Sequence, residues 1–270
     1  MALLENVAFV FLAGLITALA TGLGAIPFFL VDDVSDRWNV ALWGLASGIM
    51  LSASVFGLVF EGLSAADSPL AIVPGLVAGV VLVVVAHEVI EGYELSPKQY
   101  EEADFRKLLL ILGVLTVHSF PEGVAVGVAF ADLGLRAAAG TTVGLFGFAV
   151  PLLAVFMTIA ISIHNVPEGV AISIPLRTLG VSEWKMVWWA VFSSLPQPLG
   201  AVIAFLFVRV ARDFLPAGFG FAAGAMIYLV VTEFIPEALD IGEELPGGGR
   251  RELAAGVAAG VLAMLPLLFV

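Results

Sequence analysis

The chain has no cysteine among its 270 residues, only three histidines, and only 13% charged side chains. The missing cysteines exclude disulfides and thiolate metal ligands. The charge content is about half the 25% or so usual in soluble domains. Together with 61% apolar residues, it excludes a water-soluble core as the use of most of the sequence. Basic residues number 11 against 23 acidic ones, for a net charge of −12 carried mostly by the connecting loops. No basic stripe marks a nucleic-acid surface. There is no G-x-x-x-x-G-K-[ST] loop for ATP and no His-Glu-x-x-His zinc-protease helix. Glu5 and the lack of a basic start followed by a cleavage site make the N-terminus read as a first span, not a removed signal peptide.

What is present is long apolar runs. A spanning helix takes about 20 apolar residues. The runs predict an all-α membrane protein with eight transmembrane helices in a single domain over 1–270, in a multi-pass cell (cytoplasmic) membrane setting. The expected spans are about 6–30, 40–63, 70–92, 107–131, 148–176, 186–208, 217–238 and 252–270. The fifth lies in a run too long for one span, and Pro151 marks a candidate start. In the second, Gly44, Gly48 and Gly57 let a neighbouring helix approach closely. Lys and Arg favour the cytoplasmic side. Odd-numbered connections hold eight of them and even-numbered ones three, Arg136, Arg209 and Arg212. Both termini are therefore expected to be extracytoplasmic.

Two short stretches stand out inside this apolar background. His118-Ser119-Phe120-Pro121-Glu122-Gly123 and His164-Asn165-Val166-Pro167-Glu168-Gly169 lie 46 residues apart, and 118–126 matches 164–172 at six of nine positions. Ionisable residues at membrane depth are costly and mark functional sites. On a helix, i and i+4 share a face, so His118 with Glu122, and His164 with Glu168, each present an imidazole beside a carboxylate. That N/O mixture suits Zn²⁺ and similar ions. Ser119 and Asn165, three residues before each Glu, flank it on the other side, so each Glu could bridge two ion positions. The prolines free the carbonyls of Val117 and Ile163, which at membrane depth need protein or a wet cavity. At about 1.5 Å per residue, both motifs fall near the midplane. Consecutive helices run in opposite directions, so the doubled motif predicts inverted pseudo-symmetry, a transporter trait. Helices 1–3 and 6–8 would flank the motif pair in a 3+2+3 arrangement, although the two triplets share little evident sequence similarity.

His-x-x-Pro-Glu-Gly on two consecutive helices resembles the ZIP (Zrt-/Irt-like) divalent-metal transporter family, most of all its GufA-type prokaryotic branch. Supporting stretches are 48–54 (GIMLSAS), 196–201 (PQPLGA), 223–228 (AGAMIY) and 233–238 (EFIPEA). The resemblance implies eight helices, outside termini and a midplane binuclear site. By position, His118, Glu122, His164 and Glu168 match its metal ligands, Ser119 and Asn165 its second-site positions, and Met50 a second-helix ligand of this branch. Gln197 stands where the family usually has Glu. A neutral Gln beside a neutral Ser119 should leave the second position weak or empty.

At the cytoplasmic ends of helices 3 and 7, His87, Glu88, Glu91, Glu233 and Glu237 suggest an exit vestibule. Glu61 suggests an outer entrance, with Asp67 and Asp132 at similar depth; an acidic mouth concentrates cations. Trp184, Trp188 and Trp189 suit an interfacial aromatic belt. The loop 93–107 lacks the His-rich tract often found in the family.

The function expected is therefore transport of a divalent transition metal into the cytoplasm. The cargo would be Zn²⁺, with Fe²⁺, Mn²⁺ or Cd²⁺ as further candidates, and no organic cofactor. The expected partners are the metal ion and the lipid bilayer; a homodimer is left open, and nucleic acid is not expected. The competing class is an intramembrane metalloenzyme, a protease or lipid hydrolase. It would need a bound water and a separate general base, yet every midplane carboxylate is already assigned as a ligand. A metal sensor would need an output domain, and none is expected from these apolar runs and short loops.

Overall fold

The computed structural model describes residues 2–31, 34–92, 118–134, 142–178 and 180–265. The loop 93–107, the first turns of the fourth span and the last five residues lie outside them. The helices are α1 (Ala2–Leu23), α2, α3 (Val73–Gly92), α4 (described over 118–129), α5 (Leu152–Thr178), α6, α7 and α8 (Arg250–Met264). α2 runs through Asp36–Ser52, a π-helical Ala53–Val59 and Phe60–Ser64. α7 is built alike, from Leu215–Leu229, a π-helical Val230–Phe234 and Ile235–Ile241. α6 is broken into Glu183–Ser193 and Pro196–Val210. The break follows from Pro196 and Pro198. Proline fits the first turn of a helix but not its interior.

Among the described residues, six helices are long and apolar enough to cross a membrane. Their outward faces agree. Val77, Val81, Val85 and Val89 form a stripe along α3, each at least 50% exposed. Four β-branched apolar residues in a row facing water would be an aggregation hazard; facing lipid they are at home.

The expectation of an all-α chain needs one correction. Thr142–Leu145 (β1) and Phe148–Pro151 (β2) pair antiparallel, with Leu145 opposite Phe148. Phe146 and Gly147 form the two-residue turn, with φ of 50° and 84°. Positive φ at both positions is the geometry that joins two strands tightly. The fifth helix therefore starts at Leu152, just after Pro151, and not near 148 as its apolar run suggested.

Packing is set by small residues. A Cβ on Gly44 would lie 2.5 Å from the Leu253 carbonyl oxygen, and Gly48 meets Val257 in the same way. Gly75 backs onto Ala217 and Gly79 onto Phe221. The pairings advance together along both chains, so α2 runs parallel to α8 and α3 parallel to α7. Gly24 lies against Val166 and Val170 while Asn165 bonds the Thr17 carbonyl, so α1 runs parallel to α5. Gly123 backs onto Gln197 and Gly127 onto Ala201, so α4 runs parallel to the second segment of α6. Gly14 meets Pro198 while Gly22 meets Val191, so α1 and α6 are antiparallel. It follows that α4 and α5 run in opposite directions.

The same contacts expose a relation between the helix triplets that overall similarity hid. Leu23, Gly24 and Ala25 recur 176 positions later as Leu199, Gly200 and Ala201. At the same offset, Gly44, Gly48, Met50 and Glu61 recur as Gly220, Gly224, Met226 and Glu237. Both π-helical stretches fall just after the repeated Met. Gly75 and Gly79 recur as Gly256 and Gly260 at an offset of 181. The residues shared are mostly those at close helix crossings, where a side chain has no room. Lipid-facing residues need only be apolar, so identity is not demanded of them.

Candidate metal centre

The centre is assembled by α4 and α5 and backed by α1 and α6. His164 Nε2 lies 3.2 Å from Glu122 Oε1 across the helix pair, and 3.6 Å from Glu168 Oε1 one turn along its own helix. Ligand atoms of Glu122, His164 and Glu168 all lie within 4.8 Å of one another. All three residues are buried, at 2% exposure or less. Two carboxylates and one imidazole withdrawn from solvent need a positive partner, because burying charge without compensation is expensive. Unused donor capacity remains: Glu168 Oε1 and His164 Nδ1 make no hydrogen bond. One imidazole nitrogen and several carboxylate oxygens on a rigid helix pair can chelate a dication of the zinc type.

Close helix approach puts these groups together. Gly169, the last residue of the second motif, sits against the Thr21 backbone of α1, and Gly123 of the first motif sits against Gln197 of α6. Any side chain at either glycine would push its helix away and spread the carboxylates apart.

The other motif residues are placed as follows. His118 is buried on α4 one turn before Glu122, with its Nδ1 unpartnered, and stays outside the three-residue cluster. Ser119 is buried beside it. Asn165 donates its amide to the Thr17 carbonyl oxygen at 2.8 Å and to Gln197 Oε1 at 3.1 Å, and its own Oδ1 is unpartnered. Gln197, in the first turn of the second α6 segment, donates Nε2 to Glu122 Oε2 at 2.6 Å. Met50 is fully buried in α2, which packs on α5.

Outside the centre, His87 Nδ1 of α3 lies 3.1 Å from Glu233 Oε1 of α7, joining two of the residues assigned to the cytoplasmic vestibule. Glu88 and Glu237 are exposed, and the side chain of Glu91 lies outside the described residues. At the other end, Glu61 closes α2 half-buried and Asp67 is exposed. Asp132 is held by Arg212 at 2.8 Å. Trp184, Trp188 and Trp189 are exposed on α6, and Trp184 packs edge-on against Phe29 with ring centroids 5.1 Å apart.

Sequence reasoning missed the part of α1. Its Thr17 carbonyl anchors Asn165, and its Thr21 hydroxyl pairs with Ser194 of α6 at 2.7 Å. Two threonines one turn apart in an Ala/Gly-rich span, Thr17 and Thr21, were the available signal. A backbone acceptor leaves no mark on residue type.

A profile of the family described as ZIP Zinc transporter matches residues 96–267. The chain is 31% identical to the zinc transporter GufA of Myxococcus xanthus, over 94% of this chain and 96% of GufA. It is 34% identical to the zinc transporter ZIPB of Bordetella bronchiseptica, over 88% of this chain and 75% of that protein. A longer protein of Arabidopsis thaliana is 42% identical over 234 residues; the match takes in 86% of this chain, which spans 35% of that protein's length.

Proposed function

From its place in the ZIP zinc-transporter family, to which this chain belongs, we propose that it carries a divalent transition-metal ion, Zn²⁺ above all, into the cytoplasm. The observation that carries this reading is the buried cluster of Glu122, His164 and Glu168 on two antiparallel helices. Fe²⁺, Mn²⁺ and Cd²⁺ fit the same donor set and are secondary cargoes. The chain is a transporter and not an enzyme, and in this reading its midplane carboxylates serve as ligands.

The metal enters with Glu122, His164 and Glu168 as primary ligands. His118 joins them by turning its ring, whose Nδ1 has no hydrogen-bond partner, and Met50 closes the site from α2. Ser119, Asn165 and Gln197 form the flank on which a second ion would sit. Ligands take up metal when deprotonated, and His164 would bind the ion through Nε2 with its ring proton on the unpartnered Nδ1.

The architecture that supports this is eight spans in a 3+2+3 order with both termini outside. The excess of Lys and Arg in odd-numbered connections favours that orientation. The repeat at offset 176, with its parallel pairs α2–α8 and α3–α7, supports inverted halves. Alternating access around a midplane site is what inverted repeats commonly serve. Under the repeat, Glu61 and Glu237 are equivalent residues at opposite mouths, which supports an acidic entrance and an acidic exit. His87 and Glu233 then line the cytoplasmic exit.

The test is Zn²⁺ uptake into proteoliposomes. Wild type should accumulate zinc, and Glu122→Ala and Glu168→Ala should each reduce flux at least tenfold. Equal flux in all three would refute the site.

A further inference from the structure

We infer that Gln197 is locked as a hydrogen-bond donor against Glu122, so that the centre takes one divalent ion and not two. This rests on the transport site proposed above and concerns how that site is filled.

The lock begins at a group that can only accept. The Thr17 carbonyl oxygen lies 2.8 Å from the side-chain amide of Asn165, so the Asn165 atom facing it must be the NH₂. That same NH₂ lies 3.1 Å from Gln197, so the Gln197 atom facing it must be the carbonyl oxygen, Oε1. The other end of the Gln197 amide is then its NH₂, which lies 2.6 Å from Glu122 Oε2. Turning Gln197 over would set its carbonyl against a carboxylate and its NH₂ against that of Asn165. Both ends of the amide therefore select one orientation, and the choice is made by the backbone of α1.

The chemical consequence is direct. A carboxylate bridges two ions by giving one oxygen to each. Glu122 Oε1 points to His164, but Oε2 is already taken by an N–H. A cation on that side would meet amide hydrogens where a ligand lone pair is needed. To coordinate, Gln197 would have to break two hydrogen bonds inside a fully buried site. Leaving buried polar groups unpaired is the costly outcome. Gln197 is thus a positioning residue. It holds Glu122 with one oxygen free, and its N–H dipole stands where the second positive charge would be. A neutral residue that was merely a weak ligand would leave the position open at high zinc; a locked donor keeps it closed.

The test uses the full chain in detergent, loaded with excess Zn²⁺ and measured by zinc K-edge X-ray absorption with equilibrium dialysis. Paired metals in one site lie about 3.5–4 Å apart, so a metal–metal vector in that range reports double filling and ignores ions bound on loops. Wild type should show no such vector. Gln197→Glu should show it, because a carboxylate there accepts metal. Gln197→Leu should still show none, with zinc affinity about 10–100-fold weaker, the usual effect of losing a residue that supports a ligand. A vector in wild type would overturn the inference. So would its absence from Gln197→Glu, or unchanged affinity in Gln197→Leu. The combined Glu122→Ala/Glu168→Ala variant separates the two levels: if it retains wild-type affinity, the site itself is misplaced.

Discussion

His164 lies nearer to Glu122 on the opposite helix, at 3.2 Å, than to Glu168 on its own helix, at 3.6 Å. The motif read along one helix pairs His164 with Glu168. The folded chain instead uses the imidazole to stitch the two repeats together.

His164→Ala should therefore damage both binding and stability. Removing one partner of a buried hydrogen bond leaves the other unsatisfied, at a cost of about 1–3 kcal/mol, and here it leaves two carboxylates facing each other. The metal-free variant should melt well below wild type in detergent, and zinc should restore part of the loss. His118→Ala, which removes a ligand that joins only after its ring turns and leaves the Glu122–His164–Glu168 cluster intact, should weaken zinc affinity less than His164→Ala does. Equal losses in the two variants, read by calorimetric titration, would show that the motif histidines are equivalent.

Gly169→Ala should be destabilising out of proportion to its size. The added methyl would strike the Thr21 carbonyl oxygen, and overpacking of this kind costs about 1–3 kcal/mol. Gly144→Ala, with nothing within 4 Å of the new methyl, is the control, and should stay within about 0.5 kcal/mol of wild type. Thermal unfolding in detergent reads both.

His87→Ala and Glu233→Ala should slow zinc flux several-fold while leaving midplane affinity within about twofold. The pair sits 3.1 Å apart between α3 and α7 and contributes no residue to the Glu122–His164–Glu168 cluster. Uptake and titration on the same preparations should diverge; a parallel fall in both would move the pair into the binding site.

Phe146→Asn should raise the melting temperature. Phe146 has φ of 50° and is 92% exposed at the hairpin tip. Asn tolerates the left-handed region better than a bulky residue does. No contact in the core is lost by the exchange. A lower melting temperature would mean that the ring anchors the hairpin in its surroundings.

The meeting of Glu122, His164 and Glu168 was legible in the sequence because its cause is local. His, Glu and Pro in apolar spans are expensive, and repeating them at one spacing leaves few explanations. Six apolar spans among the described residues were legible for a similar reason. What stayed hidden depends on contacts between helices. The orientation of Gln197 is set by a backbone carbonyl, Thr17 O, which residue type does not record. The break in α6 was hinted at by Pro196 and Pro198, yet its effect, setting Gln197 in a first helical turn, is a matter of three dimensions. The hairpin 142–151 was masked by apolar residues that suit a helix or a strand equally. The matching glycines of the two triplets have a meaning that appears only when their neighbours are known: Gly44 and Gly48 against α8, Gly220 and Gly224 against α3.

Locating the ion is the most direct test. Anomalous diffraction at the zinc edge from zinc-soaked crystals should give a midplane peak about 2.0–2.2 Å from oxygens of Glu122 and Glu168 and from His164 Nε2. A midplane peak coordinated by other residues, or none between these helices while zinc binds elsewhere, would contradict the account.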